Sequence, residues 1–195
     1  MKFGKRHYRA QVDTRDCGVA ALAMILEYYR SHHSLASLRE MAKTTMEGTT
    51  AFGLVKVAEE LGFETRAIKA DMSLFSMREA VYPFIAHVVK DGTLLHYYVV
   101  IGADKKYIYI ADPDPSVKLT KLSHEQFEKE WTGVSLFMAP KPEYQPHKEK
   151  SHGLLSFIPL LTKQKGLITN IVLATLLVTF INIVGSYYLQ SIIDT

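Results

Sequence analysis

The sequence predicts an α+β domain built on an antiparallel sheet, followed by a helix that crosses a membrane. Three observations lead there. Segments with helical spacing come first, and short runs of β-branched and aromatic residues follow, an order that favours an antiparallel sheet over a doubly wound parallel one. At the far end, Gly166 to Ile193 carries no charged residue, which exceeds the ~20 apolar residues that span a bilayer.

The first helix begins at Cys17 and runs to about Arg30. Val19, Leu22, Ala23, Ile25, Leu26 and Tyr29 keep near-helical spacing, so it is expected to be largely buried. A second helix is expected over residues 34–43 with Ser34 as N-cap, and a third over 50–62 with Gly62 as its stop. Strands are expected at 63–70, 82–90, 96–103, 106–112 and 134–140, each bounded by turn residues. Residues 140–152, rich in proline and charge, read as a tether. The chain thus divides into a domain at 1–139, a linker at 140–152, and a membrane part at 153–195. No internal repeat is apparent.

In the membrane part, residues 154–161 read as an elbow along the inner surface. Lys163 and Lys165 precede the apolar run and Asp194 follows it, which places the N-terminal side in the cytoplasm. Tyr187 and Tyr188 suit the opposite interface. A single helix with so short a tail is expected to be the first of several, with the chain the N-terminal piece of a longer membrane protein.

Composition narrows the function. The formal net charge of +3 is scattered, with no basic run interleaved with aromatics, so nucleic acid is a poor partner. The single cysteine cannot form an internal disulfide, which fits a reducing compartment. The N-terminus lacks the apolar core of a signal peptide, so the domain is expected in the cytosol.

That one cysteine, Cys17, stands where the first helix starts. A helix N-terminus stabilises a thiolate through its unpaired backbone N–H groups. Asp16 is placed to cap the helix, and Gly18 to let backbone or substrate come close. The strands at 96–103 and 106–112 form a hairpin; if its turn is centred near residue 104, His96 faces Asp112. Directly opposed residues bring their Cβ atoms to ~4.5–5.5 Å, so counting alone predicts an imidazole beside a carboxylate. Cys17, His96 and Asp112 would then supply a nucleophile, a base and an orienting carboxylate. Gln11 lies near enough to aim its amide at the same pocket, and with the Cys17 N–H it would form an oxyanion hole. Plainer readings exist: Cys17 as a small buried hydrophobe, Asp112 as a turn residue before proline, Asp13 and Asp16 as braces of the loop. His87 equals His96 on chemistry alone. His32 and His33 read as a solvated helix end, and no Cys or His cluster has zinc spacing.

With these residues in view, "QVDTRDCG" resembles the Q-x-D-x-x-D-C-G signature of the bacteriocin-processing, double-glycine peptidases. These are papain-like cysteine peptidase domains at the N-terminus of peptidase-containing ABC transporters. "HYYVVIG" and "ADPDP" resemble that family's His and Asp segments in order and rough spacing, and "GSYYLQSIIDT" resembles the end of an ABC exporter's first transmembrane helix. The resemblance implies Cys17 as nucleophile, His96 as general base and acid, Asp112 as orienting carboxylate and Gln11 as oxyanion donor. It selects His96 over His87. It also implies a peptide precursor as substrate, cleaved after a Gly-Gly leader, with the cargo, a competence signal or a bacteriocin, then exported. The leader is expected to dock as an amphipathic helix on an apolar surface. No cofactor is expected in the peptidase domain; ATP and Mg would serve a nucleotide-binding domain beyond these residues. The full transporter is expected as a homodimer in the cell membrane. Papain itself differs after its cysteine and has Asn as third residue.

Three rival readings remain at this level. A docking module that binds the leader without cutting it would need no thiol. An acyltransferase or transglutaminase-like enzyme would pass the acyl group to an amine rather than to water. A membrane-anchored domain with a structural thiol would be indifferent to alkylation of Cys17.

Overall fold

The structure is a computed structural model that describes residues 3–77, 81–148 and 163–193. It divides into two compact units, Met1–Glu149 and Lys150–Thr195.

Among the described residues, the first unit holds four α-helices and a six-stranded sheet. The helices are α1 (Cys17–Tyr28), α2 (Leu35–Met41), α3 (Ala51–Glu60) and α4 (His124–Glu130). The strands are β1 (Phe63–Lys69), β2 (Phe84–Lys90), β3 (Leu94–Ala103), β4 (Tyr107–Ala111), β5 (Leu119–Ser123) and β6 (Trp131–Pro140). They run in the order β1-β6-β2-β3-β4-β5, every pair antiparallel. This is the α+β architecture expected from helices preceding strands.

All of α1 except Glu27 is buried. A helix apolar on every side has no face for water and becomes the centre of a core. Leu22, Ile25 and Leu26 pack with Leu54 and Val57 of α3 and with Val99 and Leu136 of the sheet. A second core, around Phe84, Tyr98, Ile110 and Phe127, gathers the alternate strand residues with α4, as the period of two in a strand requires. Ser34 caps α2 by accepting from Ser37 N. Thr50 does the same for α3 from Gly53 N, and α3 ends where Gly62 takes a φ of +88°, the left-handed geometry that glycine adopts without cost.

Two elements were not expected. β5 is half-exposed along its length, so no apolar alternation marks it. α4 is a short helix with one buried side chain, Phe127. The β3–β4 hairpin also differs from the count. Its turn lies later than residue 104, because Asp104 Oδ1 accepts from the backbone N–H of both Lys106 and Tyr107. Pairing is Ala103↔Ile108 and Gly102↔Tyr109 near the turn, and Val100↔Ile110 and Val99↔Ala111 beyond a bulge at Ile101. His96 is therefore not directly opposite Asp112. Continuing the outer register puts Tyr98 opposite Asp112, with His96 two residues away on the same face. Without the bulge, the pairing near the turn would put them on opposite faces.

The segment read as a tether begins docked on the first unit. Lys141 N donates to Gly62 O at 3.0 Å, and the Tyr144 ring packs on Phe63 with centroids 4.7 Å apart. The Tyr144 hydroxyl bonds Ser31 Oγ, which also accepts from His147 N at 2.9 Å. His32 N donates to His147 O at 2.7 Å. Ser31 and His32 follow the C-terminal end of α1.

In the second unit, α5 (Lys165–Ile193) is a single helix. Lys165–Gln190 is long and apolar enough to cross a membrane, by length and composition, and its apolar side chains are exposed. The elbow expected at 154–161 lies outside the described residues.

Candidate active site

Cys17 is the first residue of α1 and is buried. It is reached through a 3-10 turn, Thr14–Asp16, which Asp13 caps through Arg15 N. Asp16 does not cap α1 with its side chain, contrary to the sequence expectation. Its carboxylate turns back on the preceding loop, accepting from Asp13 N at 2.9 Å and Val12 N at 3.2 Å. Arg39 of α2 grips it from the other side, with Nε 2.6 Å from Oδ1 and Nη2 bonded to Oδ2. The buried carboxylate is thus fully partnered and braces the loop that leads to the thiol. Burial opposes its ionisation, but these hydrogen bonds hold its pKa below the usual carboxylate range. The first turn of α1 is left without a side-chain cap, so its positive end faces Cys17.

Gly18 has a packing reason. A Cβ there would lie 3.1 Å from Thr49 Cβ and 3.3 Å from the Tyr97 ring. Its bareness lets Tyr97 of β3 close against α1, where the Tyr97 hydroxyl donates to Thr49 O at 3.1 Å.

The structure brings three of the four expected residues into one chain of contacts. His96 is buried, with Nε2 2.6 Å from Asp112 Oδ1. Cys17 acts on the same ring, being among the causes that raise its pKa, and since Asp112 occupies Nε2, Nδ1 is the atom left to face sulfur. Burial disfavours the imidazolium, but the hydrogen bonds and charges of Asp112 and Cys17 outweigh it and push His96 up to about 9. Asp112 is fully buried and accepts also from Lys90 Nζ at 2.8 Å and Asp114 N at 2.9 Å. Burial raises its pKa, and these partners together pull it below the ordinary carboxylate value.

Gln11 belongs to the same neighbourhood through its backbone: its N–H donates to Pro113 O at 2.9 Å, one residue from Asp112. Its Oε1 is buried with no hydrogen-bond partner among the described residues. Tyr8 ties the same two segments, its hydroxyl donating to Pro113 O and Asp114 O.

His87 pairs directly with Tyr97, and Val88 with His96, so the two histidines leave the β2–β3 ladder on opposite faces. His87 instead lines a cleft of about 520 Å³ that also contains Cys17, Thr14, Gly48, Leu95 and Tyr97. His32 bonds Glu27, and His33 stacks near His147, so neither is the free solvated end expected. Sequence reasoning missed Lys90. Its signal was its place at the end of a strand adjoining His96. Among the described residues, no group of three His, Cys, Asp or Glu is placed to hold a metal ion.

A thiol at a helix N-terminus, paired with an imidazole that a buried carboxylate holds, has the chemistry of acyl transfer at sulfur. The fold and site thus define the class as cysteine peptidase. Residues 5–143 match the Peptidase C39 family, and the chain belongs to it. It is 74% identical over all 195 residues to "Transport/processing ATP-binding protein ComA" of Streptococcus pneumoniae (strain ATCC BAA-255 / R6), covering 27% of that protein. It is 58% identical over 195 residues to the lactococcin-A transport/processing protein LcnC of Lactococcus lactis subsp. lactis, again covering 27%. The chain spans about a quarter of the length of these relatives. Among solved structures, the peptidase domain of Streptococcus ComA matches at 54% identity and a TM-score of 0.67, covering 68% of this chain and 97% of that one. A double-glycine-motif protease from a transporter, solved with its leader peptide, matches at 29% identity and a TM-score of 0.61, covering 68% and 89%.

Proposed function

We propose that this domain cleaves precursor peptides after a Gly-Gly leader, and that it is the N-terminal part of an ABC exporter that releases the mature peptide across the membrane. The observation that carries the reading is the buried His96–Asp112 pair, 2.6 Å apart, together with Cys17 at the N-terminal end of α1. In the proposed cycle the Cys17 thiolate attacks the carbonyl carbon of the second glycine, and the oxyanion rests on the Cys17 N–H and the Gln11 amide. The C–N bond breaks as protonated His96 gives its Nδ1 proton to the departing amine. His96 then takes a proton from water, whose oxygen attacks the thioester; the C–S bond breaks and the leader leaves with a free carboxylate. Asp112 holds the imidazole in orientation throughout.

The leader docks away from the thiol, in an apolar groove of about 630 Å³ lined by Ile68, Leu74, Met77, Val81 and Phe137. An amphipathic helix fits such a groove. The relative solved with its leader peptide favours a peptide occupant. Export would draw on ATP, as the relatives' name "ATP-binding protein" implies, with Mg beside it in a nucleotide-binding domain. α5 would be a transmembrane helix, with Lys163 and Lys165 marking its cytoplasmic side, and the transporter a homodimer.

Incubating the chain in detergent with a synthetic Gly-Gly leader peptide, beside Cys17→Ala, tests this. A single cut after the second glycine, absent in the variant, is expected by mass spectrometry. Tight binding without a cut would favour a docking module, and transfer to an added amine an acyltransferase.

A further inference from the structure

His87 takes no part in the proposed proton transfers, yet it stands on the wall of the cleft that holds Cys17. We propose that His87 is a substrate-binding residue whose Nε2 accepts a hydrogen bond from a backbone N–H of the peptide strand lying in that cleft. The inference rests on the peptidase reading above.

The tautomer follows from Thr132. A threonine hydroxyl has one proton to give, and that of Thr132 donates to His87 O at 3.0 Å. At its other contact, 3.0 Å from His87 Nδ1, the hydroxyl oxygen must therefore accept. Nδ1 carries the proton, and Nε2 keeps a lone pair. The remaining acceptor capacity of the hydroxyl is used by Val134 N at 3.4 Å. Burial lowers the His87 pKa, which keeps the ring neutral and Nε2 an acceptor. Tyr97 meets the ring edge-on at 5.1 Å, so its plane is set as well as its protonation.

Nε2 is not among the buried polar atoms that lack a partner; those are Gln11 Oε1 and Ser135 Oγ. With Nδ1 held by Thr132 and His87 on the cleft wall, Nε2 is the acceptor left to face the cleft. An extended peptide entering the cleft gives up water at each backbone N–H it buries and needs an acceptor there. His87 offers one at Nε2, an atom that carries no proton to compete for the chemistry at His96.

The test replaces single backbone amides of the leader peptide by esters, one at a time, at three positions on each side of the scissile bond. Each ester removes one N–H and leaves the side chains alone. The chain in detergent is assayed as wild type, His87→Phe and His87→Gln. Phe keeps the ring against Tyr97 but has no acceptor, while Gln can carry an oxygen near the place of Nε2. In wild type, one ester position is expected to lower kcat/KM by about 3- to 10-fold, the usual worth of one hydrogen bond. The same ester should cost His87→Phe nothing, with the loss appearing in KM more than kcat and partly restored in His87→Gln. Equal ester losses in wild type and His87→Phe at every position would overturn the proposal. If wild type fails to cut the all-amide peptide, the peptidase reading falls first and this one with it.

Discussion

Lys90 donates to Oδ2 of Asp112 at 2.8 Å, while Oδ1 of the same carboxylate lies 2.6 Å from His96 Nε2. One buried anion therefore serves two cations, and each weakens the other's hold on it. Replacing Lys90 with Met leaves the whole charge of Asp112 to His96. The expected result is an alkaline limb of kcat/KM moved upward relative to wild type, read from a pH–rate profile with the leader peptide.

Asp112 and Cys17 push the His96 pKa up to about 9 against the effect of burial, and on the proposed mechanism its proton is the one given to the leaving amine. kcat/KM should be sustained at neutral pH and fall as pH rises through about 9. The sign for stability is the same: a group raised in the folded state contributes in full below its ordinary 6.5 and loses that contribution as pH passes its folded value. Cys17→Ala removes one cause of the raised value, so the His96 imidazole should titrate lower in that variant, as NMR of the ring would show.

Asp112→Asn keeps an oxygen for His96 but removes the charge. Activity is expected to persist at a reduced level, with the alkaline limb moved down toward the ordinary histidine value. Asp112→Ala removes orientation as well and should cost about 10²- to 10⁴-fold in kcat/KM. A profile unchanged in Asp112→Asn would rule out the carboxylate as the source of the raised His96 value.

Gln11→Ala tests the oxyanion role. A loss of about 10²- to 10³-fold in kcat with KM little changed is expected if its amide is an oxyanion donor. A variant that loses only stability would leave Gln11 as a brace for the Pro113 loop.

Arg39→Met leaves the Asp16 carboxylate buried with only its two backbone donors. Hydrogen bonds to charged groups are worth about 1.5–3 kcal/mol, and because the Arg39 side chain is 38% exposed the lower end is expected from urea denaturation.

Much of this was legible in the sequence, for reasons that differ by element. α1 announced itself because its apolar residues are dense and regularly spaced, and Gly62 stopped α3 because only a left-handed residue ends a helix there. The His96–Asp112 pair was reached by a count that was wrong in register yet right in parity, since the bulge at Ile101 restores the shared face. The one local sign of the bulge is Gly102 beside it, since a glycine within a strand often marks one. β5 escaped because a half-exposed strand carries no alternation. α4 has a signal in Ser123 and Gln126, which form a reciprocal cap, but a helix with one buried residue gives no period to support it. Of the two roles open to Asp16, the brace of the loop holds and the helix cap does not; its partner Arg39 could not be foreseen, being distant in sequence and reaching it only once α2 has packed.

The docking of residues 141–148 has a mechanical consequence. The chain leaves the domain beside Ser31 and His32, past the C-terminal end of α1, whereas the thiol sits at the N-terminal end of the same 12-residue helix, about 18 Å away. The segment is held there by the packing of Tyr144 on Phe63 and by the bonds to Ser31 and His32. Whatever passes that point must travel along a helix buried on nearly every side before it reaches Cys17. The contacts that hold this segment and the residues that gather around sulfur thus stand at opposite ends of α1, so a change at Tyr144 or Ser31 reaches Cys17 only through the length of the helix between them.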